Sequence, residues 1–227
     1  MIHASPLASE PLFGLGPLVI TMPVVTTWGL MLVLVVASWL VTRRLAVQAG
    51  PAQAALEILV EAIDGQLHDI MRREPGPYLA LLGTLFVYLA AANLCGVLPG
   101  ISPPTSRLET PAALAIVVFC SVHVAGVQGR GLRGYLASYL QPNPLLLPLN
   151  ILEEFTRTFS LMVRLFGNMM SHELVIAVVV LLAGLLVPVP FLLLAIMVGL
   201  IQAYIFTVLA AVFIAAAVQN EKGAASP

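Results

Sequence analysis

The sequence predicts an all-α polytopic membrane protein: five membrane helices, the last two a long, steeply tilted hairpin, plus one amphipathic surface helix. Of its 227 residues, 60% are hydrophobic and 9% charged, whereas soluble domains run at about 45–50% apolar and about 25% charged. Five stretches are apolar over about the 20 residues that a hydrocarbon core of about 30 Å requires. The segments between them carry Pro and Arg, which end helices and hold loops on the cytoplasmic side.

The first span, residues 24–41, ends at Arg43-Arg44. A signal peptide would carry its positive charge in front and a small-residue cleavage site behind, so this span reads as a retained anchor. Residues 52–73 place Leu56, Leu59, Val60, Ile63, Leu67, Ile70 and Met71 at helical spacing, with Glu57, Glu61, Asp64 and Asp69 between them. That pattern fits a helix lying on the membrane surface or docked on a partner protein, its acids forming a solvated face. The second span, 78–98, and the third, 111–127, are separated by LPGISPPTSRLETP. This break cannot continue a helix and is expected to be a surface loop. A fourth stretch, 148–187, and a fifth, 190–218, meet at Val187-Pro188-Val189-Pro190 and are expected to pair as a hairpin, completing a single membrane domain over 1–227.

Arg43 and Arg44, Arg72 and Arg73, and Arg130 and Arg133 fall in connections that one alternating topology puts on a single side. With basic loops inside, the N-terminus lies outside and the C-terminus, with Lys222, is cytoplasmic. Ten Lys+Arg against 11 Asp+Glu leave a net charge of −1, which offers no basic face for nucleic acid. Cys95 and Cys120 lie in apolar runs without metal-ligand spacing and read as packing residues. No cofactor or metal is expected, and no phosphate-binding Gly-rich loop followed by Lys and Ser/Thr occurs.

The informative segment is NILEEFTRTFSLMVRLFGNMMSHE, from Asn150 to Glu173. At about 100° per residue, Glu153, Arg157, Ser160, Arg164, Asn168 and Ser171 fall within roughly 40° of one line. Glu154 and His172 flank that stripe, and Glu173 points to the opposite side. An Arg at mid-membrane costs about 2.5–3.5 kcal/mol on insertion scales, so it pairs or faces a wet cavity. For Arg157 an ion pair with Glu153 or Glu154 competes evenly with a role in an ion path. Arg164 has its nearest opposite charges about 12–15 Å away along the axis, which points to function. A guanidinium cannot release its proton, so Arg164 can hold an anion ionised or block a charge, but not relay protons. A continuous helix over 148–187 would measure about 60 Å and must tilt or bend, with Gly167 as a bend that also admits a neighbouring helix. His123 reads as satisfied by a helix carbonyl, and Gln202 and Tyr204 as interhelical hydrogen-bond formers.

SLMVRLFGNMMSHE, Ser160 to Glu173, closely resembles the signature of subunit a of the membrane sector of F-type ATP synthases, where one Arg precedes LFGN. Asn93 to Gly100 (NLCGVLPG) resembles that family's second-span ending, Pro104-Thr105-Ser106 the loop after it, and Gln202-Ala203-Tyr204-Ile205-Phe206 its final helix. Together these cover residues 56–218 in the family's order. The resemblance implies a non-catalytic stator facing a rotating ring of c subunits, in a complex with peripheral-stalk b subunits and a separate catalytic head, in a bacterial plasma membrane. An ion, H+ or Na+, would reach a ring carboxylate through one half-channel and leave through another, with Arg164 keeping the two apart. Gln202 matches a glutamine across from the arginine, and Asn168 and Glu173 match groups of the outside half-channel. Glu153, Glu154 and Ser160 lie toward the inside exit, and Arg157 matches a basic residue common there.

The sequence also departs from the family. Ala195 stands where some bacterial relatives carry a histidine or an acid, and His172 replaces a residue more often small, so the resemblance implies that His172 takes over the titratable role from the facing helix. Arg107, followed by Glu109, occupies a position near the outside entrance that is often acidic. The short N-terminal region resembles a divergent branch such as the N-type ATPases. The competing reading is an independent transporter that binds an anionic substrate at Arg164. Such transporters usually show repeat symmetry, and none is visible in this sequence.

Overall fold

The computed structural model describes residues 11–15, 18–43, 50–72, 74–96, 103–140, 144–184 and 189–219. Arg44, Arg73, Lys222, the 97–100 end of the NLCGVLPG motif and the first half, 187–188, of the turn expected at 187–190 lie outside them. A short antiparallel hairpin, β1 (Pro11–Leu15) and β2 (Leu18–Thr21), leads into α1 (Met22–Thr42). There follow α2 (Pro51–Met71), α3 (Gly76–Cys95), α4 (Glu109–Leu140), α5 (Leu147–Ala183) and α6 (Val189–Gln219). Five of these helices are long and apolar enough to cross a membrane; α2 is the exception.

The membrane environment explains why the apolar surface is distributed as it is. Side chains of α1 such as Trp28, Leu32, Val35 and Trp39 are largely exposed, the finish of a helix solvated by hydrocarbon. Burial is concentrated where α6 meets α3 and α4: Phe206, Ala210, Ala211 and Ile214 pack with Leu82, Leu85 and Leu89 and with Val118 and Val122. Lipid tails are as apolar as leucine, so close approach over small residues must hold such helices together. Ala203, Ala210, Ala211 and Ala215 supply that surface on α6.

Gly199 carries it furthest, since a Cβ there would stand 3.0 Å from Asn93 Cβ. Gly199→Val is therefore expected to force α3 and α6 apart at a cost of roughly 1–3 kcal/mol. A lower melting temperature of the purified complex, with less of the chain in the membrane, would register it.

α2 buries Leu67 and Met71 against the bundle while Glu57, Glu61 and Asp69 stay exposed. Tyr204 of α6 donates its hydroxyl to Gln66 Oε1 of α2 at 2.9 Å, the interhelical role expected for it.

Three local expectations are corrected. The Pro-rich break is no surface loop where it is described: Pro104, Thr105 and Ser106 form a buried 3-10 turn wedged against α5. The third helix ends close to where it is expected, at a kink at Gly131 (φ 70°, ψ 160°), a conformation open to glycine at little strain. The segment beyond is a second helical arm to Leu140 and not a loop. Gly167 does not interrupt α5 and is not a helix contact, since α5 runs through it and nothing among the described residues lies within 4 Å of its Cβ position.

Candidate functional site

Arg164 lies near the middle of the 37-residue α5. It is exposed and makes no ion pair or hydrogen bond among the described residues. Two polar systems flank it along the helix, one on each side.

One turn toward the C-terminal end of α5, Asn168 Nδ2 donates to Gln202 Oε1 at 2.7 Å. Gln202 is only 2% exposed, and its Nε2 has no partner among the described residues. Three residues before it on α6, the Gly199 carbonyl accepts from Asn93 Nδ2 at 2.8 Å, and Asn93 Oδ1 accepts from the Thr105 hydroxyl at 3.0 Å. A polar seam thus ties α3 and the 3-10 turn to α6 at Gly199, and α5 to α6 one turn further on. Asn93 and Thr105 entered the sequence reading only as letters of family motifs. An Asn inside an apolar span was the available signal, because such a group must find a partner. Beyond Asn168, His172 is half-buried while Ser171 and Glu173 are exposed. His172 and Glu173 have no hydrogen-bond or ion-pair partner among the described residues.

On the other side, Arg157 pairs with Glu153 one turn before it on α5, and its guanidinium lies 5.4 Å from the centre of the Phe213 ring on α6. Asn168–Gln202 and Arg157–Phe213 are separated by eleven residues on each helix, so α5 and α6 run antiparallel in a fixed register. That register sets Phe206 level with Arg164; Gln202 lies one turn away, bonded to Asn168 and not to the arginine.

Two cavities open at this end. One, of about 570 Å³, runs between α5 and α6 past Arg157, Ser160 and Arg164. The other, of about 310 Å³, is polar, lined by Arg130, Tyr135, Tyr139, Asn150 and Glu154. Its wall depends on the break at Gly131, which lets the end of α4 fold back until the Tyr135 ring sits on Gly126, where a Cβ would come within 2.4 Å. Tyr135 and Tyr139 share a hydroxyl–hydroxyl bond of 2.7 Å, and Asn150 Nδ2 donates to the Tyr139 carbonyl at 3.0 Å. Arg130 donates to the Ala216 carbonyl at 3.1 Å, satisfying one of the acceptors left free in the last turn of α6. In the sequence Arg130 bears only on topology, and nothing singles out either tyrosine.

His123 Nδ1 lies 2.8 Å from the Phe119 carbonyl, as expected of a histidine satisfied within its own helix. Among the described residues, no group of three His, Cys, Asp or Glu is placed to hold a metal ion.

The sequence model of the family described as ATP synthase A chain matches residues 24–215. ATP synthase subunit a 2 of Bradyrhizobium sp. strain BTAi1 is 59% identical, the match covering 96% of this chain and 97% of that protein. ATP synthase subunit a 1 of Hahella chejuensis is 50% identical over 91% and 88%, and subunit a 2 of Pelobacter propionicus 45% identical over 96% of each. Matches of this extent reach well past the arginine signature, and the chain belongs to the ATP synthase A chain family, the non-catalytic membrane a subunits of F-type ATP synthases.

Proposed function

We propose that this subunit is the ion-conducting stator of its complex, facing a ring of c subunits and passing H+ or Na+ to and from the ring carboxylates through two half-channels. The observation that carries the reading is the unpaired Arg164 at mid-helix, with a polar seam on one side of it and two cavities on the other. In this reading the N-terminus is outside and the C-terminus cytoplasmic, in a bacterial plasma membrane. Thr105, Asn93, Gln202, Asn168, His172 and Glu173 then belong to the outside path, and Ser160, Glu153 and Glu154 to the inside one. Arg164 holds each arriving carboxylate ionised. Its attraction must stay modest, because a permanent ion pair would stall the ring. The drive is the membrane potential, about 2.3 kcal/mol per charge per 100 mV.

ATP-driven uptake of H+ and of Na+, assayed separately in vesicles, tests this. The assembled complex is expected to pump one of the two ions, and the chain alone to transport nothing. Uptake of an anion by the chain alone would instead favour an independent transporter with Arg164 as its binding group.

The two ends of α5 are expected to respond differently. Glu173→Gln should slow loading of the ring from outside several-fold more than Glu153→Gln does, read as the initial rate of synthesis at low outside ion concentration. Equal rates in the two variants would remove Glu173 from the outside path.

A further inference from the structure

We infer that the Arg157–Glu153 pair is a gate, closing the neck between the polar cavity under α4 and the groove that reaches Arg164. The inference rests on the stator reading, since the ion that crosses the neck is the one the ring releases.

The geometry supports this in three ways. Glu153, Arg157 and Phe213 line both cavities and so form their common wall. The wall is pinned from two helices, because Arg157 is held by Glu153 on its own helix and lies against the Phe213 ring of α6. The two spaces also differ in chemistry. The inner one carries Arg130, Tyr135, Tyr139, Asn150 and Glu154, polar groups enough to hold water. In the groove, Leu149, Leu152, Leu161 and Leu209 surround the few polar groups, and the Thr156 hydroxyl is already bonded to the Leu152 carbonyl.

An ion leaving the ring near Arg164 meets Ser160 and then the pair. Arg157 repels a cation and cannot deprotonate, so opening must begin at Glu153. When the passing ion loads onto that carboxylate, Glu153 loses its charge and its hold on the guanidinium, and Arg157 is left with Phe213 alone. The ion then passes to the water around Glu154, Tyr139 and Tyr135, and the pair re-forms. The side chains of Arg157 and Glu153 are 40% and 56% exposed in this chain, an open flank that the ring would cover.

The test uses the assembled complex in vesicles, with Cys95 and Cys120 replaced by Ser and a single cysteine introduced either in the inner cavity (Ser138→Cys) or in the groove (Leu209→Cys). A positively charged, membrane-impermeant methanethiosulfonate is applied from the cytoplasmic side. Ser138→Cys is expected to react readily whether or not Arg157 is present. Leu209→Cys is expected to react slowly with Arg157 in place and about tenfold or more faster with Arg157→Ala. Phe213→Leu, which removes only the second anchor and leaves the ion pair, should give an intermediate acceleration and serves where Arg157→Ala fails to assemble. If Leu209→Cys reacts at one rate in all three backgrounds while Ser138→Cys is reached, the gate is overturned and the inside route stands. If Ser138→Cys is not reached from the cytoplasm, the inside route itself fails, and the gate with it.

Discussion

Arg164→Ala is expected to abolish ATP-driven ion pumping, by about a hundredfold or more, with the complex still assembled. Arg164 has no hydrogen bond or ion pair among the described residues, so removing it strands no buried partner charge, the usual reason such substitutions unfold a protein. In the membrane the change replaces a costly cation with a small apolar group, so the folded chain should be no less stable. Its loss is felt only when a ring carboxylate arrives. With no cation opposite it, the carboxylate has nothing to hold it ionised and no barrier between the two paths. The expected result is a complex of normal composition and melting temperature that hydrolyses ATP without building a gradient. A variant that still pumps would make Arg164 structural and remove the centre of the proposed mechanism.

The parts of the fold legible in the sequence were those set by composition and period. Apolar length gave the membrane helices, and the 3.6-residue rhythm of 52–73 gave α2 with Leu67 and Met71 on its buried side. The polar stripe from Glu153 to Asn168 was readable because one helix's angular geometry places its residues relative to each other without knowledge of the rest. Partners on other helices were not readable in this way. Nothing local says that Asn93 reaches the carbonyl of Gly199, or that Arg157 meets Phe213; both follow from an antiparallel register fixed by packing.

The second arm of α4 was missed for a related reason. Gln128 to Arg133 (QGRGLR) reads as a loop from its glycines and charges, yet Gly131 bends the helix once and the arm beyond it folds onto Gly126. Tertiary contact with a bare glycine backbone overrode the local signal. The same holds for Pro104-Thr105-Ser106, where the Pro103-Pro104 pair argues against a continuing α-helix but says nothing about burial.

Gln202→Leu is expected to separate stability from function. A buried amide donor with no partner costs about 1–3 kcal/mol, and the Gln202 side chain carries one at Nε2. Leucine is close in volume and removes that group, at the loss of the 2.7 Å bond from Asn168, whose half-buried amide can turn to another acceptor. The two changes oppose each other, so the melting temperature of the complex should stay close to its starting value. Pumping should not. In the stator reading this donor lies one turn from Arg164, buried in the chain alone, and the arriving carboxylate or a water that serves it is expected to draw it out. Withdrawing one such hydrogen bond, worth about 1.4 kcal/mol, slows transfer about tenfold. A loss of both stability and pumping would make the Asn168–Gln202 contact a structural tie between α5 and α6. Unchanged pumping would mean that the unpaired amide has no part in ion transfer, and that the outside path must reach the ring through His172 and Glu173 without it.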